Sequence, residues 1–418
     1  MKLNTMNAAI LTIGQEILIG QIIDTNSAWI AQKLNEAGVN VQLITSIPDE
    51  NSTIISVVNE LLNKFNLVLV TGGLGPTSDD VTKHALCELF DCELTTHQPT
   101  LERIKNLFSS RGLPLTRLNE MQADVPDRCE VLDNPLGTAP GMWFKHGDSV
   151  LVSMPGVPFE MKSIMENHVI PRLLSQSTEI VIVHKTVHTF GLPESFLADK
   201  ISEWESNLPK SISLAYLPSP NSIRLRLSST GNNKELIHKV IYEQIEKLKA
   251  IIPDNIFGYD NDTMALVVAN LLKNSNSTLA LAESCTGGNI SHLITSIPGS
   301  SAFFNGSVVA YSNKVKEEVL GVNAKLIEEH GAVSKQVVES MAVGVRKLMN
   351  SDYSIATSGI AGPTGGTQAK PVGTIWVAIS SRNFTESKLF KFGNDRERNI
   401  IRSSISALNM LRLHLLSR

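Results

Sequence analysis

A chain of 418 residues with 42% hydrophobic content holds the apolar mass of two or three ordinary domains. Its net charge of −4 gives no electrostatic footprint for nucleic acid, which is therefore not an expected partner. No apolar run approaches membrane-spanning length, and Ala8 to Ile13 is too short for a signal peptide, so a cytoplasmic protein without a membrane partner is expected.

Ala8 to Ile13 reads as an apolar strand. Asp24-Thr25-Asn26 leads into a helix to about Ala37, which Gly38 stops. Val39 to Thr45 is a second strand, 52–64 a helix and Leu67 to Val70 a third strand. Strands alternating with helices predict a parallel, doubly wound sheet, whose ligands bind beyond the carboxyl ends of its strands. Gly14-Gln15-Glu16, Asp49-Glu50 and the run from Thr71 to Asp80 fall at those ends. In that run Gly72, Gly73 and Gly75 let the backbone curl and present amides to an anion such as phosphate. Asp79 and Asp80 then open a helix, where a carboxylate favours the N-terminus; beside a phosphate nest the pair could hold a divalent metal instead. Cys87, Cys92, Cys129 and Cys285 are irregularly spaced and suggest no disulfide framework. His84, Cys87, Cys92 and His97 invite a zinc reading, but 79–90 reads as an amphipathic helix and the spacing does not suit a tetrahedral site.

The run Thr71-Gly72-Gly73-Leu74-Gly75-Pro76-Thr77-Ser78-Asp79-Asp80 resembles the molybdopterin-binding fold, in the version that forms the amino-terminal half of CinA proteins. Glu16 to Gly20 with Asp24 to Asn26, Asn134 to Gly141, and Pro155 to Met161 match further loops of that pattern, though each block also serves as turn punctuation. The resemblance implies metal-assisted hydrolysis of ADP-ribose in some members. Thr71, Gly72, Gly73, Gly75, Pro76 and Thr77 would meet the nucleotide, and Asp79, Asp80, Glu16 and Asp24 a divalent Mg, Mn or Co. Relatives of this fold bind a pterin, which keeps a molybdenum-cofactor binding protein open as an alternative.

From Glu179 the texture changes. Ile180 to Thr189 alternates as a strand, 195–204 is helical, 211–216 is extended, and Ser222 to Ser228 alternates Ile223, Leu225 and Leu227 with Arg224 and Arg226. With the helix 234–250 this makes a small α+β domain, similar to the KH-like module of the same family. It lacks a Gly-x-x-Gly loop with basic flanks, so RNA binding is not inferred. Asp262 or Thr263 caps the next helix.

The last third alternates again, with helix 263–274, strand 278–283, helix from 287, strand 306–311, helices near 313–321 and 335–350, strands 353–358 and 373–380, and a long helix from Asp395. Leu279 to Gly288 runs from strand into a small-residue turn, where Ser284 could serve as a nucleophile beside unpaired amides, or Ser and Thr could cap the helix. Pro298 to Phe304, Tyr311 to Lys316, His330 to Ser334, Ser358 to Gly366 and Lys370 to Thr374 follow in order. Together these blocks resemble the nicotinamide-nucleotide deamidase domain of the CinA family.

That reaction hydrolyses a primary amide, and a serine hydroxyl needs a base for it. His292 and His330 are poorly placed, whereas a desolvated lysine can serve. The family pattern puts its lysine at Lys316, with Lys314 the second choice and Cys285 a rival nucleophile. The amides of Thr286 and Gly287 are candidates for the oxyanion hole, with Gly288 beside them. Tyr311 would orient Lys316 or stack on the pyridine ring, Ser358, Gly359 and Gly362 would approach the nucleotide, and Arg396 would bind its phosphate. Relatives usually carry a further arginine where this chain has Ile400, with Arg402 nearby.

The expected fold class is thus two doubly wound α/β domains, 1–176 and 263–418, joined by a KH-like α+β domain at 177–252 and a linker at 253–262. The expected partners are nicotinamide mononucleotide and ADP-ribose, with a second copy of the chain. The deamidase site needs no cofactor. A non-catalytic competence or repair accessory is the rival class.

Overall fold

The structure is a computed structural model that describes residues 6–77, 80–176, 181–219 and 222–417. Contacts divide the chain into two compact units: residues up to His184 with Ser229–Lys239, and Lys185–Ser228 with the chain from Val240 on.

In the first unit, strands β1 (Asn7–Ile13), β2 (Asn40–Ile47), β3 (Leu67–Thr71), β4 (Leu94–Thr96), β5 (Asp124–Pro126), β6 (Glu130–Leu132), β7 (Gly141–His146) and β8 (Ser149–Met154) follow in chain order. Six form one sheet in the order β2-β1-β3-β8-β7-β6, and β4 pairs with β5 apart from it. β2, β1, β3 and β8 run parallel, with Ile10 opposite Ile44 and Leu69. β7 and β6 close the sheet antiparallel, an edge the helix–strand alternation did not show. All five residues of β3 are buried, as expected of a central parallel strand covered on both faces. The carboxyl ends of β2, β1, β3 and β8 lie side by side: past β1 the Gly14 amide bonds the carbonyl of Ile47 at the end of β2, and past β3 the Gly72 amide bonds that of Met154 at the end of β8, both at 3.1 Å. The helix expected from Asp79 begins at Thr82, so Asp80 belongs to the loop before it.

The middle sheet has the order β10-β11-β9-β12, from β9 (Val181–Thr189), β10 (Ile212–Ser219), β11 (Ser222–Gly231) and β12 (Ile256–Tyr259). On β11, Ile223, Leu225 and Leu227 are buried while Arg224 and Arg226 face solvent.

The carboxyl-terminal sheet has the order β14-β13-β15-β16-β17, from β13 (Leu279–Glu283), β14 (Phe304–Val309), β15 (Tyr353–Gly359), β16 (Thr374–Ser380) and β17 (Thr385–Lys391). β14, β13 and β15 are parallel, and β16 and β17 antiparallel. β17 was not anticipated. Its sequence, Thr-Glu-Ser-Lys-Leu-Phe-Lys, is largely exposed and lacks the apolar alternation that betrays a half-buried strand. The helices Lys335–Leu348 and Arg396–Leu416 pack against this sheet through Val337, Val338, Met341 and Val345 on the one and Ala407, Leu408 and Leu411 on the other. Among the described residues no helix is long and apolar enough to cross a membrane.

Candidate functional site

In the carboxyl-terminal domain the ladder continues one residue past β13, where the Ser284 amide bonds the Thr357 carbonyl at 3.1 Å and so holds Ser284 at the sheet's carboxyl edge. Gly287 (φ 61) and Gly288 (φ 98) then turn the chain in a left-handed conformation that other residues disfavour. The helix Asn289–Thr295 follows, and neither Ser nor Thr caps it. That work falls to Glu283, which sequence reading took only as the end of a strand. Its wholly buried carboxylate accepts the amides of Gly288 (3.1 Å), Ile290 (3.0 Å) and Ser291 (2.8 Å), and the Ser291 hydroxyl (2.5 Å). With the first-turn donors satisfied by a carboxylate, the Ser284 hydroxyl is left for other partners.

Its partner is Lys316, carried on the helix Asn313–Glu318, whose first turn the Ser312 hydroxyl caps. Lys316 is 2% exposed, and its Nζ lies 3.2 Å from Ser284 Oγ, 2.7 Å from the Ala310 carbonyl and 3.4 Å from the Tyr311 carbonyl. Burial pushes the Lys316 pKa down, because the charged form loses its hydration. Two carbonyls can only accept. A neutral amine spends its two hydrogens on them, and its lone pair faces the serine hydroxyl. Lys314, the second choice as base, projects into solvent and faces Glu318 at 3.8 Å. The rival nucleophile Cys285 is buried, and desolvation pushes its thiol up to about 12.

The turn amides sort differently from expectation. Gly287 donates to the Ser284 carbonyl at 3.2 Å and Gly288 to Glu283, so neither is open to an oxyanion. The amides of Cys285 and Thr286 meet no acceptor among the described residues and are the pair left beside the nucleophile. The Thr286 hydroxyl lies 2.8 Å from that of Thr357, which fixes the turn to β15. Ser358 is 1% exposed and donates to the Ala332 carbonyl at 2.7 Å; its side chain shapes a loop rather than facing a ligand. Gly359 and Gly362 are steric necessities, since a Cβ would come within 2.7 Å of Ile375 in the first case and 2.5 Å of Val372 in the second. Arg396 donates to the Gly362 carbonyl (2.7 Å) and to the hydroxyl of the exposed Tyr311 (3.1 Å). Tyr311 therefore faces Lys316 through its carbonyl and Arg396 through its ring. Ile400 packs on the apolar core, and Arg402 lines a separate hollow with Phe190 and Phe392.

In the amino-terminal domain a cavity of about 460 Å³ opens at the carboxyl ends of β1, β3 and β8. Glycine is required there. Gly72 has φ 115, and a Cβ would approach the Ile13 carbonyl oxygen to 2.1 Å; at Gly73 it would approach Thr82 Oγ1 to 2.1 Å. Thr71 spends its hydroxyl on the Pro155 carbonyl at 2.9 Å, and Pro76 lines the cavity. The anion nest expected of the loop exists, but it is filled from within: Asp80 accepts the amides of Gly75 (2.7 Å) and Thr77 (2.9 Å) and the Thr77 hydroxyl (2.5 Å). Asp24 caps its helix through the Ser27 amide at 2.9 Å and takes the Thr12 hydroxyl at 3.2 Å. Glu16 folds over Gly14, where a Cβ would meet its carboxylate at 2.6 Å. Asp79 lies outside the described residues. Sequence reading missed Asp49, which accepts the Gln15 amide at 2.9 Å, as an individual ligand group, and Glu160, which accepts from Asn134 at 2.7 Å; with Glu16, Asp24 and Asp80 they give the cavity, among the described residues, five carboxylates and no basic side chain. Among the described residues no three acidic, histidine or cysteine side chains converge on one point, so the protein alone offers no closed metal cage. The donor set does fit a cation shared with a phosphate ligand, held by one or two carboxylates such as Asp80 and Glu16.

Fold and sites together define a three-module α/β protein. The family description "Probable molybdopterin binding domain" matches 9–175, "Damage-inducible protein CinA KH domain" matches 184–258, and "CinA C-terminal domain" matches 261–415. A CinA-like protein of Flavobacterium psychrophilum is 45% identical over 408 residues, covering 97% of this chain and 98% of its own. One of Cytophaga hutchinsonii is 43% identical over 408 residues, covering 98% of each. A solved competence-damaged protein (CinA) superfamily member from Klebsiella pneumoniae is 34% identical, covers 37% of this chain and 97% of its own, and has a TM-score of 0.36. The chain belongs to the CinA family of competence-damage inducible proteins.

Proposed function

We propose that the carboxyl-terminal domain hydrolyses the carboxamide of nicotinamide mononucleotide to nicotinate mononucleotide and ammonia. The observation that carries this is the buried Lys316 amine 3.2 Å from Ser284 Oγ. Lys316 takes the serine proton as Oγ attacks the amide carbon, and the amides of Cys285 and Thr286 receive the developing oxyanion. The protonated Lys316 then delivers its proton to the departing nitrogen, leaving an ester on Ser284. Water, deprotonated by the same amine, cleaves that ester and returns the serine. Arg396 and Tyr311, on the exposed rim, offer a cation and a phenol for the nucleotide's phosphate and ring.

For the amino-terminal cavity we propose metal-dependent cleavage of ADP-ribose. Five carboxylates without a basic residue repel a bare diphosphate, so the ligand must bring or recruit a cation. A divalent ion there would neutralise phosphoryl charge. Gly72, Gly73 and Gly75 would let the ligand approach the backbone, and Asp80, displaced from its loop, would join the ion's ligands. The test is the whole chain incubated with each nucleotide, with and without divalent metal, while ammonia and AMP are measured. Ammonia from nicotinamide mononucleotide without metal and AMP from ADP-ribose only with metal are expected; absence of either product sinks that half of the reading.

A further inference from the structure

Outside both sites, the described residues gather nucleophilic side chains at the end of the helix Thr82–Phe90, where Cys87, Cys92 and Cys129 are all free and partly exposed. The helix stops through Asp91, which has φ 50 and ψ 60. The Cys92 amide bonds the Cys87 carbonyl at 3.0 Å and the Asp91 amide bonds the Glu88 carbonyl at 3.4 Å. These two bonds define a Schellman stop, in which the third residue from the helix end and the second beyond it bring their side chains into contact. Here those residues are Cys87 and Cys92. Apolar side chains usually fill these positions; in this chain two thiols occupy them, and after burial it is the neighbouring Cys92 that pushes the Cys87 thiol up. The backbone bond also keeps the two residues close, and a disulfide needs Cα atoms about 4.4–6.8 Å apart.

We propose that Cys87 and Cys92 form a reversible disulfide, a modification site for hydroperoxide oxidants. The first attack is assigned to Cys92 by its place beyond the helix end; burial pushes the Cys87 thiol up to about 12, which suits Cys87 to the second, resolving step. The Cys92 sulfur attacks a peroxide oxygen, the O–O bond breaks, and Cys92 becomes a sulfenic acid as one water leaves. The Cys87 sulfur then displaces the sulfenic hydroxyl as a second water and the S–S bond forms. Two thiols lose two electrons, and hydrogen peroxide takes them up as two waters. Cys129 packs against the apolar core from a neighbouring loop, within electrostatic reach of both thiols but outside the helix stop that pairs Cys87 with Cys92. The bond closes within one helix end, so it forms without moving the sheet. The same helix begins at Thr82, whose amide bonds the Gly73 carbonyl and whose hydroxyl bonds the Gly72 carbonyl, both at 3.3 Å, so the oxidised state locks the element that supports the cavity's glycine loop.

The experiment exposes the full chain to excess hydrogen peroxide, denatures it, alkylates free thiols and digests it with trypsin. Both cysteines fall in the peptide 84–103, and Cys129 falls in another. The expected result is a peptide 84–103 without alkyl groups and lighter by two hydrogens, restored to the doubly alkylated form by dithiothreitol. Cys129→Ser should keep this link, and Cys92→Ser should leave Cys87 open to alkylation. The proposal is overturned if 84–103 stays doubly alkylated, if Cys92 passes to sulfinic acid, or if Cys129 is the residue cross-linked. The wild-type mass decides these outcomes even where a variant fails to fold.

Discussion

In the carboxyl-terminal domain the two groups proposed to react already face each other in the free chain, whereas in the amino-terminal cavity Asp24, Asp49, Asp80 and Glu160 each accept hydrogen bonds from the protein itself. The contrast follows from the chemistry each would perform. A serine nucleophile works only if its base is positioned and desolvated before substrate arrives, so the fold must bear the cost of a buried lysine. A site that shares a cation with phosphate oxygens can take part of its ligand set from the substrate. Its carboxylates can meanwhile serve as helix caps and loop braces.

The comparison breaks first at Ser284. Ser284→Ala should lower ammonia release from nicotinamide mononucleotide by roughly three decades or more, as expected when a nucleophile is removed. Cys285→Ala should leave most turnover; the reverse ranking would transfer the nucleophile to the thiol. Lys316→Met should abolish deamidation comparably while raising the melting temperature at neutral pH, because it removes a buried amine that must otherwise be ionised or lose its proton. The sign with pH follows. The folded-state pKa of Lys316 lies below its unfolded value of 10.5, so the native state binds fewer protons between the two. Wild-type stability relative to Lys316→Met should therefore rise with pH across that window, and deamidation should rise on the same limb. A flat difference in thermal melts across this range would contradict a desolvated lysine.

Asp80→Asn sharpens the other side. ADP-ribose cleavage should fall on the order of ten- to a hundredfold, and a chelator should mimic it on the wild type, while ammonia release survives both. Loss of deamidation under chelation would mean that the two sites do not differ as described. Lys314→Met should have the smallest effect, under about twofold on ammonia release, since an exposed pair such as Lys314–Glu318 contributes little.

Sequence reading reached the pair at the centre of this comparison because Ser284 follows an apolar strand into glycines and because the family resemblance puts its lysine at Lys316 rather than Lys314. It could not tell which donors the turn consumes. Gly287 looked like an oxyanion amide, but the turn closes on the Ser284 carbonyl; Ser358 looked like a ligand contact, but strand alternation turns its hydroxyl to Ala332. Glu283 was hidden for a related reason. A carboxylate at a strand end has a meaning only once the helix amides it accepts are in place. In the amino-terminal loop the glycines were legible through their steric demands, and the nest they build was legible too. That Asp80 would fill it was not, because the sequence shows an anion site without showing the anion.

Arg412, 1% exposed on the last helix, donates to the carbonyls of Asp254 (2.5 Å) and Ile256 (2.9 Å), and to Asn409 Oδ1 at 2.9 Å. The start of β12, a strand of the middle sheet, and the residues just before it are thus tied to the carboxyl-terminal domain's last helix, and that domain is less portable than its sequence boundary suggests. A chain beginning at Met264 would strand the guanidinium with one acceptor in place of three. Losing two hydrogen bonds from a charged group costs about 3–6 kcal/mol, less whatever water recovers. Such a chain should unfold at lower urea than one beginning at Pro253, and Arg412→Met should restore much of the difference.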